Sequence, residues 1–369
     1  MSQLSPNPNT GSITIVSTDT QDNSKNFANN YALYNNGTLK NESGATLDNN
    51  GSLYNESGAT LDNYGSLKNK SGANLYNFFF GTLKNESGAT LDNYGYLYNN
   101  YALYNNGTLY NESSATLYNS NYLYNYSALD NYGSLKNESG AYLYNFSGGT
   151  LKNESGATLD NYGYLYNNYS TSTLDNYGSL KNESGAILDN YSGTLKNESG
   201  AILLNDGTIN QYTGSSFTNN GTLAGSGTFN GSITLNSGST LAPGGYFAPE
   251  YVDSIGKFTV NGGINLSGGT IKLSVTGVNS GEYDSLIANS IALNSGKLQI
   301  SISNSDLNNI NNEIAVGQTR SIQLLTVSGG LNLTSAFVTN GIISPISGPH
   351  DVFKLAKSGN SLLLNIKHI

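Results

Sequence analysis

The chain has 369 residues and a net charge of −9, with only 11 % of residues charged and Arg320 as its one arginine. So few cations leave no positive stripe to replace counterions on phosphate, and no basic amphipathic helix. These two lacks exclude nucleic acid and anionic membrane surfaces as partners. There is no cysteine, so disulfides are excluded, and no stretch approaches the roughly 18 apolar residues of a membrane helix.

Residues 1–30 lack a basic start followed by an apolar run, so no secretory signal peptide is read there. They form a lead-in, and Ser12–Val16 is expected to close that end of the fold. From residue 31 to 204 one phrase recurs: Leu, a variable residue, Asn. Low charge with abundant Asn and 44 Gly fits disorder, but regular Leu and 28 Tyr supply surface worth burying. A tandem period this short predicts a solenoid. The Leu positions step by 6 or 8 from Leu33 to Leu165, and side chains in a strand alternate faces with period two. Even steps are compatible with every Leu on one side, whereas a helix wants steps of three and four. Two odd steps, Leu165 to Leu174 and Leu188 to Leu195, are read as bulged corners around Tyr169–Ser172 and Tyr191-Ser192.

The Asn of each phrase shares the inward face of its Leu. A buried amide is costly unless hydrogen-bonded. Stacked identical amides on successive coils satisfy it, so Asn55, Asn63, Asn69, Asn85, Asn93, Asn137, Asn153 and Asn161 are expected to form a structural ladder. A longer copy is also present. Residues 81–101 are repeated letter for letter at 149–169, an offset of 68 residues holding ten strand phrases. Ten divides by two and not by three. Duplication in phase therefore favours a two-sided coil of about 14 residues, with a three-sided coil of about 20 left open.

The variable residue faces outward. It is Tyr at Tyr34, Tyr54, Tyr76, Tyr98, Tyr104, Tyr110, Tyr118, Tyr124, Tyr144 and Tyr166. Tyr has an apolar body and a polar tip, so a stripe of them is a candidate surface for sugars or proteins. The plainer reading is that Tyr favours strands. Elsewhere the position is Lys or Asp, as in Lys68, Lys84, Asp62 and Asp92, charges that discourage edge-to-edge aggregation. The sequons Asn41-Glu42-Ser43 and Asn137-Glu138-Ser139 follow from the repeat and are not read as glycan sites.

Near Asn205 the composition shifts: Tyr becomes scarce and Gly, Ser, Ile and Val rise. Gly256–Gly262, Ile264–Leu266 and Thr270–Val275 alternate as strands. Leu307–Glu313 is a short helix or turn. Val352–Ile369 is a hairpin around Ser358-Gly359-Asn360, capping the open edge a solenoid otherwise presents. The chain is thus divided into a lead-in (1–30), a short-repeat solenoid (31–204), and a continuation with a cap (205–369).

The phrase Leu235–Gly245, followed by Phe258–Leu266, Gly268–Leu273, Gly281–Leu286, Ile322–Leu331 and Leu362–Ile366, resembles the passenger domains of bacterial autotransporters over residues 220–369. The Asn-rich half broadly resembles haemagglutinin-type repeats. The resemblance implies an all-β, elongated, right-handed parallel β-helix with a C-terminal cap. It implies adhesion at a bacterial surface or in a secreted protein, and it favours the three-sided coil. The family's C-terminal membrane barrel has no counterpart before Ile369, which leaves open a separate exporter, an incomplete relative of the family, or a protein that stays inside the cell.

No catalytic site, cofactor or metal is expected. Ser-His-Asp and two-His spacings cannot be built from His350 and His368, and the carboxylates occupy repeat positions. The expected partners are surface glycans, other cell-surface proteins or further copies of the chain, with a lectin-like module as the alternative to an adhesin. Ice or mineral binding and polysaccharide cleavage rank below both.

Overall fold

The computed structural model describes residues 2–245, 254–302, 304–329, 331–332 and 351–369. They divide into two units, Met1–Lys196 with Tyr212–Ser216, and Asn197–Gln211 with Phe217–Ile369. Each is a β-solenoid.

In the first unit every Leu-x-Asn phrase ends a four-residue strand, as in Ser66–Asn69, Asn74–Asn77 and Thr82–Asn85. Each strand pairs in parallel with the third strand before it and the third after it. Ser66–Asn69 lies between Thr46–Asn49 and Thr90–Asn93. Asn74–Asn77 lies between Ser52–Asn55 and Tyr96–Asn99. Thr82–Asn85 lies between Thr60–Asn63 and Ala102–Asn105. Three strands therefore complete one coil, and these three stacks define faces 1, 2 and 3. The two-sided coil favoured by the duplication is corrected. Ten strands are three coils plus one strand, so the copied block sits one face further round. Ser66–Asn69 is on face 1, while its copy Ser134–Asn137 pairs with Thr116–Asn119 on face 2.

Leu67, Leu91 and Leu151 are fully buried, and each faces a Leu on the coils before and after it. Each contributes about 1.5–3 kcal/mol relative to exposure. The even Leu steps have a different origin from the one expected. A step of six is one strand plus a two-residue corner, Tyr94-Gly95 between Leu91 and Leu97. A step of eight has a four-residue corner, Lys70–Ala73 between Leu67 and Leu75. The odd steps come from corners of five (Asn168–Ser172) and three (Tyr191–Gly193) residues. Leu174 and Leu195 remain fully buried there. Each strand re-aims its own side chains after a corner, so parity need not be conserved around the coil.

The corners explain their residues. In Glu42–Ala45 the Ala45 N–H donates to the Glu42 carbonyl at 3.0 Å and Gly44 has φ +77°, a type II turn whose third residue favours glycine. Ala45 is buried and extends the core. In Tyr64-Gly65 a Cβ on Gly65 would lie 2.3 Å from the Ala45 carbonyl oxygen of the coil before. That close approach demands glycine in this corner and in Tyr94-Gly95, whereas the two-residue corners Asn100-Tyr101 and Tyr126-Ser127 are built without it.

The expected amide ladder is present three times, once per face. Within each, an Asn Nδ2 donates to the Oδ1 of the Asn on the next coil at 2.7–2.9 Å. Face 1 runs Asn49, Asn69, Asn93, Asn111, Asn131, Asn153. Face 2 runs Asn55, Asn77, Asn99, Asn119, Asn137, Asn161. Face 3 runs Asn41, Asn63, Asn85, Asn105, Asn125, Asn145. The other proton goes to a backbone carbonyl beyond the next coil's corner, Asn63 to Thr90 and Asn85 to Thr108, both at 2.8 Å. Each amide thus spans the corner of the following coil.

Ile13–Ile15 pairs in parallel with Leu33–Asn35, so the segment expected to close the end is itself a rung. In the second unit the coil tightens its corners into long continuous strands. Lys257–Ser274 pairs along its length with Ser285–Ser301 and successively with Thr228-Phe229, Ile233–Asn236 and Thr240-Leu241. The helix is Asn304–Glu313. The expected hairpin is formed by Asp351–Ser358 and Ser361–His368, and it adds antiparallel to Thr319–Val327. Among the described residues no helix is long and apolar enough to cross a membrane.

Two substitutions test this account. Asn85→Ala removes the acceptor of Asn63 and the donor to Asn105 and Thr108. It should lower urea-unfolding stability by about 2–4 kcal/mol, whereas a surface Asn of this kind would cost a few tenths. Ser114 has φ +67° at the turn position that Gly44, Gly58 and Gly72 hold elsewhere. Ser114→Gly should raise stability by about 1 kcal/mol in the same measurement.

Candidate functional site

The outward residues of a strand are its first and third, and in most strands both are at least part-exposed while Leu and Asn are buried, although Asp62, Asp175 and Asp189 are buried at the third position. Stacking in parallel register places every third-position residue above its counterpart on the next coil. The chemistry of the surface is therefore set by which residues share a face.

The single tyrosine stripe expected from the sequence is two ladders and an isolated ring. On face 2, Tyr34, Tyr54, Tyr76, Tyr98 and Tyr118 stack with ring centroids 4.8–5.2 Å apart and planes within 9°. On face 3, Tyr104, Tyr124, Tyr144 and Tyr166 stack at 4.9–5.3 Å. Tyr110 is on face 1 between Asp92 and Asp130 and joins neither. The second ladder is the first one rotated. Tyr34, Tyr54, Tyr76 and Tyr98 recur ten strands later as Tyr104, Tyr124, Tyr144 and Tyr166.

Sequence reasoning missed the breadth of face 3. Tyr122, Tyr142 and Tyr164 hold the first position of the same strands and stack at 4.8–5.3 Å. They lie 5.9–6.1 Å from the ladder rings beside them. Phe146 and Tyr126, in the adjoining corners, stack 5.2 Å apart, and Phe146 lies 5.1 Å from Tyr144. The signal was available in the phrase Tyr-Leu-Tyr-Asn, because residues two apart in a strand share a face. Rings inside a ladder cover one another's faces. What they present outward is ring edge, not an open face on which a sugar ring can stack.

Charged rungs follow a second rule. On face 1, Asp48, Lys68 and Asp92 alternate, as do Asp130, Lys152 and Asp175. Face 3 places Lys40 and Lys84 on either side of Asp62, and face 2 places Lys136 and Lys181 on either side of Asp160. Lys84 reaches Asp62 at 3.3 Å, Lys196 reaches Asp175 at 3.3 Å, and Lys181 reaches Asp160 at 3.9 Å. Burial pushes the Asp160 carboxyl above the usual range, and the attraction of Lys181 and Lys136 only partly offsets it. The alternation therefore avoids like-charge stacking more than it adds stability.

The sequons are closed to modification in the folded chain. Asn41 and Asn137 are fully buried, and their amide protons are donated within the ladder and to backbone carbonyls. Among the described residues no group of three or more His, Cys, Asp or Glu is placed to hold a metal. A recess of about 420 Å³ in the second unit is lined by Ile255, Lys257, Tyr283, Ile287, Gln323 and Thr326, with no carboxylate among the described lining residues. His368 is on the last strand opposite Asp351, and His350 lies outside the described residues. No protein-family model and no curated protein sequence matches the chain.

The ladders should be visible in an alkaline titration. Burial, then the neighbouring phenols, pushes Tyr124 up to about 12, and burial, then Asp189 and neighbouring phenols, pushes Tyr166 up to about 12. An unfolded chain ionises near the ordinary 10.0 and so binds fewer protons than the folded one above that pH. Stability fully present below pH 10 should fall as pH rises from 10 towards 12, and phenolate absorbance should show a late-titrating class that merges with the rest in urea.

Proposed function

We propose that the protein is a bacterial surface or secreted adhesion and structural protein that makes contact through the repeated outer faces of its solenoid. The observation that carries this reading is the pair of tyrosine ladders on faces 2 and 3, the second broadened by Tyr122, Tyr142 and Tyr164. Repeated aromatic rungs spread binding over many weak contacts, as adhesion requires, and concentrate it in no single pocket. The resemblance of residues 220–369 to autotransporter passengers supports the surface or secreted location.

The partner we favour is another cell-surface protein or a further copy of the chain. A surface glycan is the second reading, and the covered ring faces limit it to hydrogen bonds and edge contacts. Attachment to cells or coated surfaces should fall several-fold in a face 3 variant carrying Tyr124→Thr, Tyr144→Thr and Tyr166→Thr. A control carrying Lys68→Thr and Lys152→Thr on face 1 should attach as the parent does. Equal attachment by all three proteins, each shown to be folded by circular dichroism, would exclude the reading. Binding on a glycan array that disappears in the face 3 variant would replace it with the lectin-like one.

A further inference from the structure

Tyr191 and Tyr212 occupy the same corner position on successive coils, directly after Asn190 and Gln211. The Tyr191 N–H donates to the Asn167 carbonyl and the Tyr212 N–H to the Asn190 carbonyl, each at 3.1 Å. Those bonds bring the two rings to a centroid separation of 4.4 Å with planes 11° apart, closer than any rung of the two ladders. Burial, then the neighbouring Asp189 carboxylate and the Tyr212 hydroxyl, pushes the Tyr191 phenol up from its ordinary value. Tyr191 is 38 % exposed and Tyr212 is 42 % exposed, whereas the ladder rings are partly covered and packed between neighbours.

We propose that Tyr191 and Tyr212 are an oxidative cross-linking site, joined by an ortho–ortho carbon–carbon bond when a haem peroxidase and hydrogen peroxide act as the oxidant. Each phenol loses one electron and its hydroxyl proton, leaving two phenoxyl radicals. Their unpaired density at the ortho carbons lies perpendicular to the rings, so overlap is greatest between rings held face to face. The new bond forms between those carbons, and the two displaced ring hydrogens return to the oxygens. In sum, two phenols and one hydrogen peroxide give one biphenol and two waters. The carboxylate of Asp189, two residues before Tyr191 on the adjoining strand, is the group proposed to take the Tyr191 proton as the electron leaves. The chain has no cysteine, and this bond is a covalent tie between coils that its composition permits. It closes the loop between Tyr191 and Tyr212 and restricts the unfolded chain as a disulfide would. The site is independent of the adhesion reading, since it requires no partner surface.

The test treats dilute full-length protein with hydrogen peroxide and a haem peroxidase, then reads dityrosine fluorescence and the cross-linked peptides by mass spectrometry. The expected result is one dominant intrachain link between Tyr191 and Tyr212. Fluorescence should fall several-fold in Tyr191→Phe and in Tyr212→Phe, which keep the stacked ring and the fold, and should persist in Tyr98→Phe. The oxidised parent should unfold at higher urea concentration than the oxidised Tyr212→Phe protein. Links found mainly between ladder rungs, links mainly between chains, or no link under conditions that couple free tyrosine would each overturn the proposal.

Discussion

The constraint on which the first unit depends is the buried amide. An Asn side chain inside an apolar core is tolerated only when its hydrogen-bonding groups are met, and here the partner is the same side chain one coil away. Leu stacking alone permits errors. A one-residue slip would turn every Leu outward, but a slip of two would still leave an inward residue at each inward position. It would, however, set Leu against Asn and strand an amide. The ladder from Asn41 through Asn63 to Asn85 and beyond forbids that slip and so fixes the register of every strand on its face. Because each amide also holds a carbonyl beyond the next corner, corners of two to five residues are accommodated without loss of register.

With the interior committed, variation is confined to the first and third strand positions and to the corners. The third position carries an ordered pattern, aromatic against aromatic and Asp against Lys. Where the two patterns meet, Tyr118 faces Lys136, Lys84 faces Tyr104, Tyr110 faces Asp92 and Asp130, and Tyr166 faces Asp189. None of these junctions stacks like charges. The duplicated block of ten strands adds a geometric consequence. In a three-strand coil it rotates its outer side chains by one face, which turns one tyrosine ladder into two on adjoining faces. A duplication of nine strands would have lengthened the first ladder in place.

How legible this was depends on the position considered. The inward Leu and Asn were readable because each phrase is a self-contained strand in which period two applies. The amides Asn55, Asn63, Asn69, Asn85, Asn93, Asn137, Asn153 and Asn161 all stand in the ladders expected of them. The tyrosine stripe was legible only as outward-facing. Tyr98 and Tyr104 are six residues apart and point from different faces, whereas Tyr98 and Tyr118 are rungs of one ladder. Spacing along the chain does not reveal this, because a corner of two residues and a corner of four both turn the chain onto the next face.

The amino-acid sequence by itself determined the strand, its inward and outward residues and the need for amide stacking. Those follow from local periodicity and the cost of a buried polar group. Only the tertiary structure decided that a coil has three sides, and so which outer residues meet. That choice rests on how many strands close around a core of leucines, a property of the assembled coil that no single phrase contains.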